Sequence, residues 1–227
     1  MVVMTTNNSD GYADESGDRQ LHPTRIIGLT GGIGTGKTTV SHYLATAYQL
    51  PVLDADIYAR EAVQLGSPVL KAIAQRYGCD ILLPDGSLNR RQLGQIVFSS
   101  PLERRWLEQQ IHPYVRDRLV EAINELSLGN TPARSPDSTV VLVVPLLFEA
   151  GMTNLVTEIW VVRCCEQQQL QRLMQRDRLT LEQAQARIDS QLPIEEKAAR
   201  ADVVLDNSST PDALLKQVDA ALTFSRR

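Results

Sequence analysis

A glycine-rich segment that ends in lysine and threonine is the part of the sequence best suited to chemistry. Residues 31–38 read Gly-Gly-Ile-Gly-Thr-Gly-Lys-Thr and directly follow the apolar run 26–29. The pattern G-x-x-x-x-G-K-[ST] is typical of a strand that turns through a glycine loop into a helix. Because glycines carry no Cβ, backbone N–H groups converge on phosphate oxygens, and the positive end of the helix dipole points at the same place. We therefore predict a phosphate-binding site here.

Three side chains of this loop have distinct expected roles. Lys37 is expected to reach the outer two phosphates of a nucleotide, and the Thr38 hydroxyl to bind the Mg²⁺ that bridges them. Thr39 adds a hydroxyl on the α-phosphate side. The alternative is a glycine-rich turn that matches by chance, but the strand before it and the helix after it favour a phosphate site. The predicted nucleotide-binding residues are Gly32, Gly34, Thr35, Gly36, Lys37, Thr38 and Thr39.

Two carboxylates follow the predicted second strand, residues 51–53. Ligands of open α/β sheets bind outside the carboxyl ends of the strands, so Asp54 and Asp56 are expected near the phosphate loop. If the strand continues to Asp56, the two side chains point to opposite sides and only one need face the phosphates. Arg60 lies one helical turn after Asp56, where a cation and a base can share a pocket. Alternatively, Asp54 caps the following helix and Arg60 pairs with it.

Arginines recur on a helix in the second half of the chain. Arg172 and Arg176 lie one helical turn apart and are predicted to face the same way. A break and a second helix follow, which is typical of a mobile lid that closes over a transferring group and neutralises its charge. Arg187 can join them. The alternative is a solvated charged helix in which Asp177 and Glu182 pair with these arginines.

Apolar periodicity predicts the elements that must position these side chains. Short apolar runs separated by helical patterns are typical of an α/β fold with a parallel sheet flanked by helices. Between the second and third strands, residues 68–126 are helical throughout, and such an insert beside the strand ends supplies the pocket of a second substrate. Residues 1–24 are polar and predict a disordered tail, and 128–138 predict a turn-rich linker. The predicted strands are 26–29, 51–53, 139–144, 159–162 and 203–205.

The longest predicted helix, which starts near Pro101, contains a second proline. Pro113 removes a backbone hydrogen bond and disfavours helical geometry at His112, so we predict an interruption there. His112 is then a candidate substrate contact. A helix kink with an exposed or capped imidazole is the alternative.

The third predicted strand lacks the acidic residue that many phosphate-loop ATPases carry at its end. Val144 is followed by Pro145 and then by Leu-Leu-Phe-Glu at 146–149. A bound Mg²⁺ would therefore rely on Thr38, the phosphates and water, with Asp56 as the nearest candidate carboxylate.

The composition argues against several classes of protein. The 227 residues carry a net charge of -4, without the basic excess of a nucleic-acid-binding groove. The three cysteines have no metal-binding or C-x-x-C spacing and are typical of reduced thiols in the cytoplasm. No apolar run is long enough to cross a bilayer, and the first residues lack a secretory pattern. We predict a cytoplasmic chain that needs no protein partner.

Taken together, these segments resemble the dephospho-CoA kinase family over about residues 26–222. The resemblance implies ATP-dependent phosphorylation, with Mg²⁺, of the ribose 3'-hydroxyl of dephospho-CoA, the last step of coenzyme A synthesis. It also implies that Asp56 is the catalytic base, that Lys37 holds the phosphates and that Arg176 is a lid arginine. Asp54, Arg60 and His112 are further candidate substrate contacts. The motifs that carry the resemblance are 30–39, Asp54-Ala55-Asp56 with Arg60, Leu88-Asn89-Arg90 with Val97-Phe98, Ile111-His112-Pro113, 145–149 and Gln175-Arg176-Asp177.

The same resemblance implies how the chain is divided. A core of 25–58 and 138–227 holds the nucleotide, an insert at about 59–127 faces the CoA substrate, and a lid at about 172–192 closes the site. Two alternatives remain open, namely another small-metabolite or nucleoside monophosphate kinase of this architecture, and a nucleotide-dependent switch that binds partners. The sequence lacks the N-K-x-D motif of guanine recognition, so ATP is the expected donor.

Overall fold

The computed structural model describes residues 25–128 and 139–224. The predicted disordered tail at 1–24 lies outside the described residues, and so does the predicted linker from residue 129 onward. Within the two described ranges, every helix is too short or too polar to cross a membrane.

A parallel sheet forms the centre of the described part of the chain. Its five strands there stand in the order β2-β3-β1-β4-β5, and every adjacent pair is parallel, which confirms the predicted α/β sheet. The strand order reverses beside β1, because β2 and β3 lie on one side of it and β4 and β5 on the other. Ligands bind at the carboxyl ends of the strands at such a switch point. The strands are β1 (Arg25–Gly31), β2 (Val52–Asp54), β3 (Thr139–Val143), β4 (Glu158–Arg163) and β5 (Val203–Asp206).

Alternating residues of β1 and β3 build two cores on opposite faces of the sheet. Ile27 and Leu29 face one side, whereas Ile26 faces the other. The middle residues of both strands are buried and largely apolar because both faces of the sheet are covered there. The first core also contains Val40, Leu44, Val141, Val143, Trp160, Val162, Leu205, Leu214, Val218 and Leu222. The second contains Ala55, Val115, Leu119, Ile123, Val140, Leu142, Val144, Leu147 and Met152.

The described ranges contain nine α-helices, and four of them separate β2 from β3. These four helices enclose a third apolar cluster of their own, formed by Val63, Leu70, Ile73, Ile81, Leu88 and Leu93. The insert therefore has a core separate from those of the sheet. The helices are α1 (Lys37–Ala47), α2 (Ala55–Glu61), α3 (Pro68–Tyr77), α4 (Arg90–Ser99), α5 (Pro101–Leu128), α6 (Glu166–Asp177), α7 (Leu181–Asp189), α8 (Ile194–Ala199) and α9 (Pro211–Phe224).

The predicted interruption at His112 and Pro113 is wrong, because α5 continues through both residues. Pro113 cannot donate the backbone hydrogen bond to the preceding turn. The helix is nevertheless held in place after the proline, where Val115 and Leu119 are buried against the sheet. Tertiary packing here outweighs the local preference of the proline.

Candidate active site

The phosphate loop connects β1, which ends at Gly31, to α1, which begins at Lys37, so the predicted strand–loop–helix is confirmed. Gly36 has a φ of 106°, a conformation that strains any residue with a Cβ. A Cβ at Gly36 would also collide with Nδ2 of Asn207. The loop is therefore closely packed against the end of β5, and glycine is required at this position.

Lys37 reaches back across the loop in this structure. Its Nζ donates hydrogen bonds to the carbonyl oxygens of Gly31, at 3.0 Å, and Gly32, at 2.7 Å. Burial and, next in size, the positive charge of Lys197 lower the pKa of Lys37 to about 8. The ammonium group is thus held over the start of the loop in a site that favours an incoming anion.

A cavity lies over the phosphate loop, and we call it the phosphate cavity. Its walls include Gly34, Gly36, Lys37 and Thr38 from the loop and α1. The remaining predicted nucleotide-binding residues lie around it rather than on its wall. Thr35 is buried and donates from Oγ1 to Gly32 O at 2.9 Å, Gly32 lines a neighbouring cleft, and Thr39 is exposed on α1.

Asp54 and Asp56 are separated by the start of a helix. β2 ends at Asp54 and α2 begins at Ala55, so the strand does not continue to Asp56 and the alternative in which Asp54 caps the following helix applies. The side chain of Asp54 accepts from the backbone N–H of Asp56 at 2.9 Å and thereby caps α2. This cap turns the chain and puts Asp56 in the first helical turn, where it lines the phosphate cavity.

A second cavity adjoins the first, between α2, α5 and the segment that follows β3. We call it the apolar cavity, because Leu107, Ile111 and Val115 line it along α5. Asp56 and His112 are also on its wall. Burial lowers the pKa of His112 and so favours a neutral imidazole. The negative charge of Glu108 acts in the opposite direction but is the smaller effect.

Asp56 belongs to both cavities, and its environment is mixed. Burial and the neighbouring charge of Asp54 raise the pKa of Asp56, whereas Lys37 and Arg60 act in the opposite direction. A carboxylate with a raised pKa is a better proton acceptor than an ordinary aspartate. Arg60 is exposed on α2 and lines neither cavity, although its charge reaches Asp56.

Two arginines from α6 complete the phosphate cavity. Arg172 and Arg176 both lie on its wall, as their one-turn spacing predicts. Arg176 also pairs with Asp177, with Nε 2.8 Å from Oδ1, and Arg187 pairs with the other oxygen, Oδ2, at 2.6 Å. The alternative interpretation, in which the arginines pair with Asp177, is therefore correct for Arg176 and Arg187. Arg176 nevertheless also lines the phosphate cavity. Arg187 lies outside the cavity, with its guanidinium 5.1 Å from the ring centre of Phe98 on α4.

Three amide side chains tie the phosphate loop to distant elements, and the sequence did not reveal them. Gln191 accepts from Ile33 N at 2.9 Å, and Gln169 donates to Ile33 O at 2.8 Å. Asn207 donates from Nδ2 to Thr35 O at 2.8 Å. Each of these pairs is more than 130 residues apart in sequence, so no local pattern could show them. They fix the loop against α6, the segment after α7 and the end of β5.

The fold and the site together define a phosphate-loop kinase. Phosphoryl transfer needs a phosphate site, positive charge beside the transferring group and a place for the acceptor. The glycine loop at the switch point of the sheet, the arginines on α6 and the apolar cavity, which shares Asp56 with the phosphate cavity, correspond to these three parts. Residues 25–212 match the model of the dephospho-CoA kinase family. The chain belongs to the dephospho-CoA kinase family.

Individual relatives agree with this assignment. A dephospho-CoA kinase of Nostoc sp. (strain PCC 7120) is 67% identical over 200 residues, which cover 88% of this chain and 97% of the relative. The crystal structure of TT1252 from Thermus thermophilus has a TM-score of 0.70 and 36% identity, covering 89% of this chain and 97% of that one. A dephospho-CoA kinase from Campylobacter jejuni has a TM-score of 0.63 and 28% identity, covering 88% and 97%.

Membership of the family gives the reaction. The chain is an ATP-dependent kinase that phosphorylates dephospho-CoA in the final step of coenzyme A biosynthesis, as the resemblance predicted. An ATP-dependent kinase of this kind works with a divalent metal ion. The roles of individual residues are a separate question.

Proposed function

We propose that Asp56 is the base that accepts the proton of the ribose 3'-hydroxyl of dephospho-CoA as ATP phosphorylates it. The supporting observation is that Asp56 is the titratable side chain, among the described residues, that lines both the phosphate cavity and the apolar cavity. A donor in one cavity and an acceptor in the other then meet at this carboxylate.

In this proposal the acceptor hydroxyl enters from the apolar cavity and hydrogen-bonds to Asp56. The hydroxyl becomes acidic only as it bonds to phosphorus, so the proton moves late and needs no strongly basic acceptor. Asp56 therefore acts mainly by orienting the hydroxyl toward the γ-phosphorus. His112, which lines the same cavity, is the proposed contact to the rest of the acceptor.

Lys37 and Arg176 are the proposed holders of the transferring phosphoryl group. Lys37 has its ammonium at the loop, and Arg176, whose side chain is 60% exposed, would exchange its two hydrogen bonds to Asp177 for phosphate oxygens. A kinase accelerates phosphoryl transfer largely by stabilising the negative charge on the phosphoryl oxygens. We propose that the lid, at about 172–192, brings Arg176 down and excludes water, since water would otherwise replace the acceptor.

The cavity fits a magnesium ion that is held mainly by the substrate. Among the described residues, no group of three or more His, Cys, Asp or Glu side chains is placed to hold a metal. Mg²⁺ commonly uses one or two protein ligands and keeps phosphates and water as the others. Thr38 and Asp56 line the phosphate cavity together, so the Thr38 hydroxyl is the proposed ligand, with Asp56 nearby. When bound, the ion would neutralise phosphate charge.

The insert at about 59–127 is the proposed CoA-side part of the chain, since α5 supplies six of the residues that line the apolar cavity. Asp54 and Arg60 stay predictions as substrate contacts, because the first caps α2 and the second lines neither cavity. We place the reaction in the cytoplasm, where the exposed thiols of Cys79 and Cys165 would remain reduced.

The direct test mixes the purified full chain with ATP, Mg²⁺ and dephospho-CoA and follows the products by mass. We expect CoA and ADP in equal amounts, with the new phosphate on the 3'-oxygen. Lys37→Ala should fold normally and form no CoA, because the lysine faces the ligand rather than the core. Shikimate and a nucleoside monophosphate serve as control acceptors. Phosphorylation of either control in preference to dephospho-CoA would contradict the proposal.

A further inference from the structure

Lys197 is the most deeply buried charged side chain in the described ranges. Its exposed fraction is 0%, and it lies on α8, behind the wall of the phosphate cavity rather than on it. Burying an ammonium group is costly unless it is paired and hydrogen-bonded. The partners of Lys197 therefore indicate why a charge is kept there.

Both partners of Lys197 come from the segment that follows β3. Its Nζ is 2.8 Å from Oε1 of Glu149 and 3.3 Å from the carbonyl oxygen of Pro145. The ammonium group thus holds the two ends of residues 145–149 together. This segment occupies the place at which many phosphate-loop enzymes have an acidic metal ligand.

Each partner makes one further bond, and these bonds lead to opposite sides of the active site. Glu149 Oε1 accepts from the backbone N–H of Leu192 at 3.0 Å, at the end of the lid. Pro145 O accepts from Oγ1 of Thr30 at 3.2 Å, on β1 just before the phosphate loop. Lys197 therefore stands between the lid end and the strand that carries the loop.

The residues beside these contacts belong to the site. Pro145 lines both cavities. Gln191, which precedes Leu192, accepts a hydrogen bond from Ile33 in the phosphate loop. A displacement of Leu192 would therefore also move Gln191, which contacts the phosphate loop, and the end of the lid.

We propose that Lys197 is a positioning residue: through Glu149 and Pro145 it fixes the end of the lid relative to the phosphate loop, so that the lid arginines close in register. The inference rests on the proposed function, in which Arg176 acts from the lid. A purely structural ion pair would change stability and leave the chemical step alone. A positioning role predicts a loss in the chemical step even when the protein is fully folded.

The test uses the full chain with the double substitution Lys197→Met and Glu149→Leu. Both charges are removed at similar volume, and because Lys197 is replaced together with its partly exposed partner, no charge is left buried without a partner. We expect kcat for CoA formation to fall about 10- to 100-fold, because a small misplacement of catalytic groups costs that much. KM for ATP should stay within about threefold, since none of the residues expected to bind the nucleotide is substituted.

Hydrogen–deuterium exchange supplies a second readout that does not depend on activity. The Leu192 amide loses its acceptor in the double variant, so the peptide that contains it should exchange faster than in the wild type. Lys216→Met on α9, which removes an exposed lysine, is the matched control and should change neither kcat nor exchange at Leu192. Melting temperature is measured for all variants to establish that they are folded.

Wild-type kcat in a folded double variant would overturn the inference, as would unchanged exchange at Leu192. A rise in KM for ATP with constant kcat would also overturn it, because that places the pair in ground-state binding. If the double variant does not fold, Lys197→Met takes its place, since it breaks the bridge from Glu149 to Pro145 and leaves a carboxylate that is partly exposed rather than a buried unpaired charge. That single variant should lose kcat several-fold, and wild-type kcat there overturns the inference equally.

Lys37→Ala measured in parallel separates the two proposals. An active Lys37→Ala would defeat the assignment of the phosphate site, whatever Lys197 does. An inactive Lys37→Ala together with a fully active double variant would defeat only the positioning role of Lys197.

Discussion

The carboxylate of Asp54 accepts a hydrogen bond from the backbone N–H of Asp56 at 2.9 Å. Two aspartates that are almost adjacent in sequence therefore have different tasks. One terminates β2 and starts α2, and its oxygen is occupied by the helix. The other lines both the phosphate cavity and the apolar cavity.

This division predicts that Asp56→Asn and Asp54→Asn fail in different ways. Asp56→Asn keeps the shape and one accepting oxygen but cannot take up a proton, so we expect turnover to fall by about a hundredfold or more. ATP affinity and melting temperature should change little. Asp54→Asn keeps a capping side chain and should retain most of its turnover, because asparagine is also a good N-cap.

Turnover, melting temperature and ATP affinity of both variants are the measurements that separate the roles. If Asp54→Asn is folded but inactive while Asp56→Asn turns over normally, the base has been assigned to the wrong aspartate.

A second prediction concerns Gly36, where a side chain is excluded twice over. The φ of 106° strains any L-residue, and a Cβ would strike Asn207. Gly36→Ala should therefore distort the phosphate loop and weaken ATP binding by roughly tenfold or more. Gly78→Ala is the matched control, since its φ is 84° but a Cβ at that position would have no other atom within 4 Å among the described residues.

In that control the alanine should cost about 1–3 kcal/mol of stability through backbone strain alone, because Gly78 combines a φ of 84° with a ψ of 173°. ATP affinity should be unchanged. Calorimetric titration with ATP and urea unfolding measure the two quantities, and wild-type affinity in Gly36→Ala would refute the predicted clash.

A third prediction tests the lid arginine. Replacing Arg176 by glutamine removes a positive charge from the phosphate cavity while keeping a polar side chain. We expect kcat to drop about 100-fold, in the range observed when one donor to a transition-state charge is lost. Arg178→Gln, two residues further on and exposed, should have near-normal kcat. Equal effects of the two substitutions would show that the lid responds to its overall charge rather than to one arginine.

Local patterns predicted the parts of the fold that local physics decides. The glycine loop, the five apolar strands and the helical spacing of Arg172 and Arg176 all depend on residues close in sequence. The end of β2 was harder to predict, because one capping hydrogen bond, which Asp54 accepts from Asp56 N–H, decides whether the next residues form strand or helix. Pro113 was misinterpreted because burial of the flanking helix, which no local rule contains, outweighs one lost hydrogen bond.

The contacts that complete the site could not be predicted in the same way. Gln169, Gln191 and Asn207 are ordinary polar residues in sequence, and only the strand order brings them to the loop. Lys197 ends the polar segment Ile-Glu-Glu-Lys at 194–197, a pattern that is typical of an exposed helix face. Its burial arises because α8 packs beside β4 and the segment after β3.

The last prediction concerns acid stability of the insert, where Glu103 on α5 pairs with two residues of α3. Arg76 donates to both carboxylate oxygens, at 2.7 and 2.9 Å, and the Tyr77 hydroxyl donates at 2.6 Å. The hydrogen bond from Arg76, followed by that from Tyr77, lowers the pKa of Glu103 from 4.5 to about 2. The folded state therefore prefers the ionised carboxylate more strongly than the unfolded state does.

The sign of the pH effect follows from that preference. A carboxylate whose pKa is lowered on folding contributes stability that is complete above the unfolded value, and this contribution is lost as pH falls through the folded value. We expect Glu103→Gln to be less stable than wild type at pH 7, and the difference to shrink below about pH 4.5 and vanish toward pH 2. Urea unfolding at pH 7, 5, 4 and 3 measures it. Glu121→Gln, which removes an exposed ion-pair partner on the same helix, should show a small difference at every pH. A destabilisation by Glu103→Gln that is the same at pH 7 and pH 3 would mean that packing, rather than the charge on Glu103, joins α5 to α3.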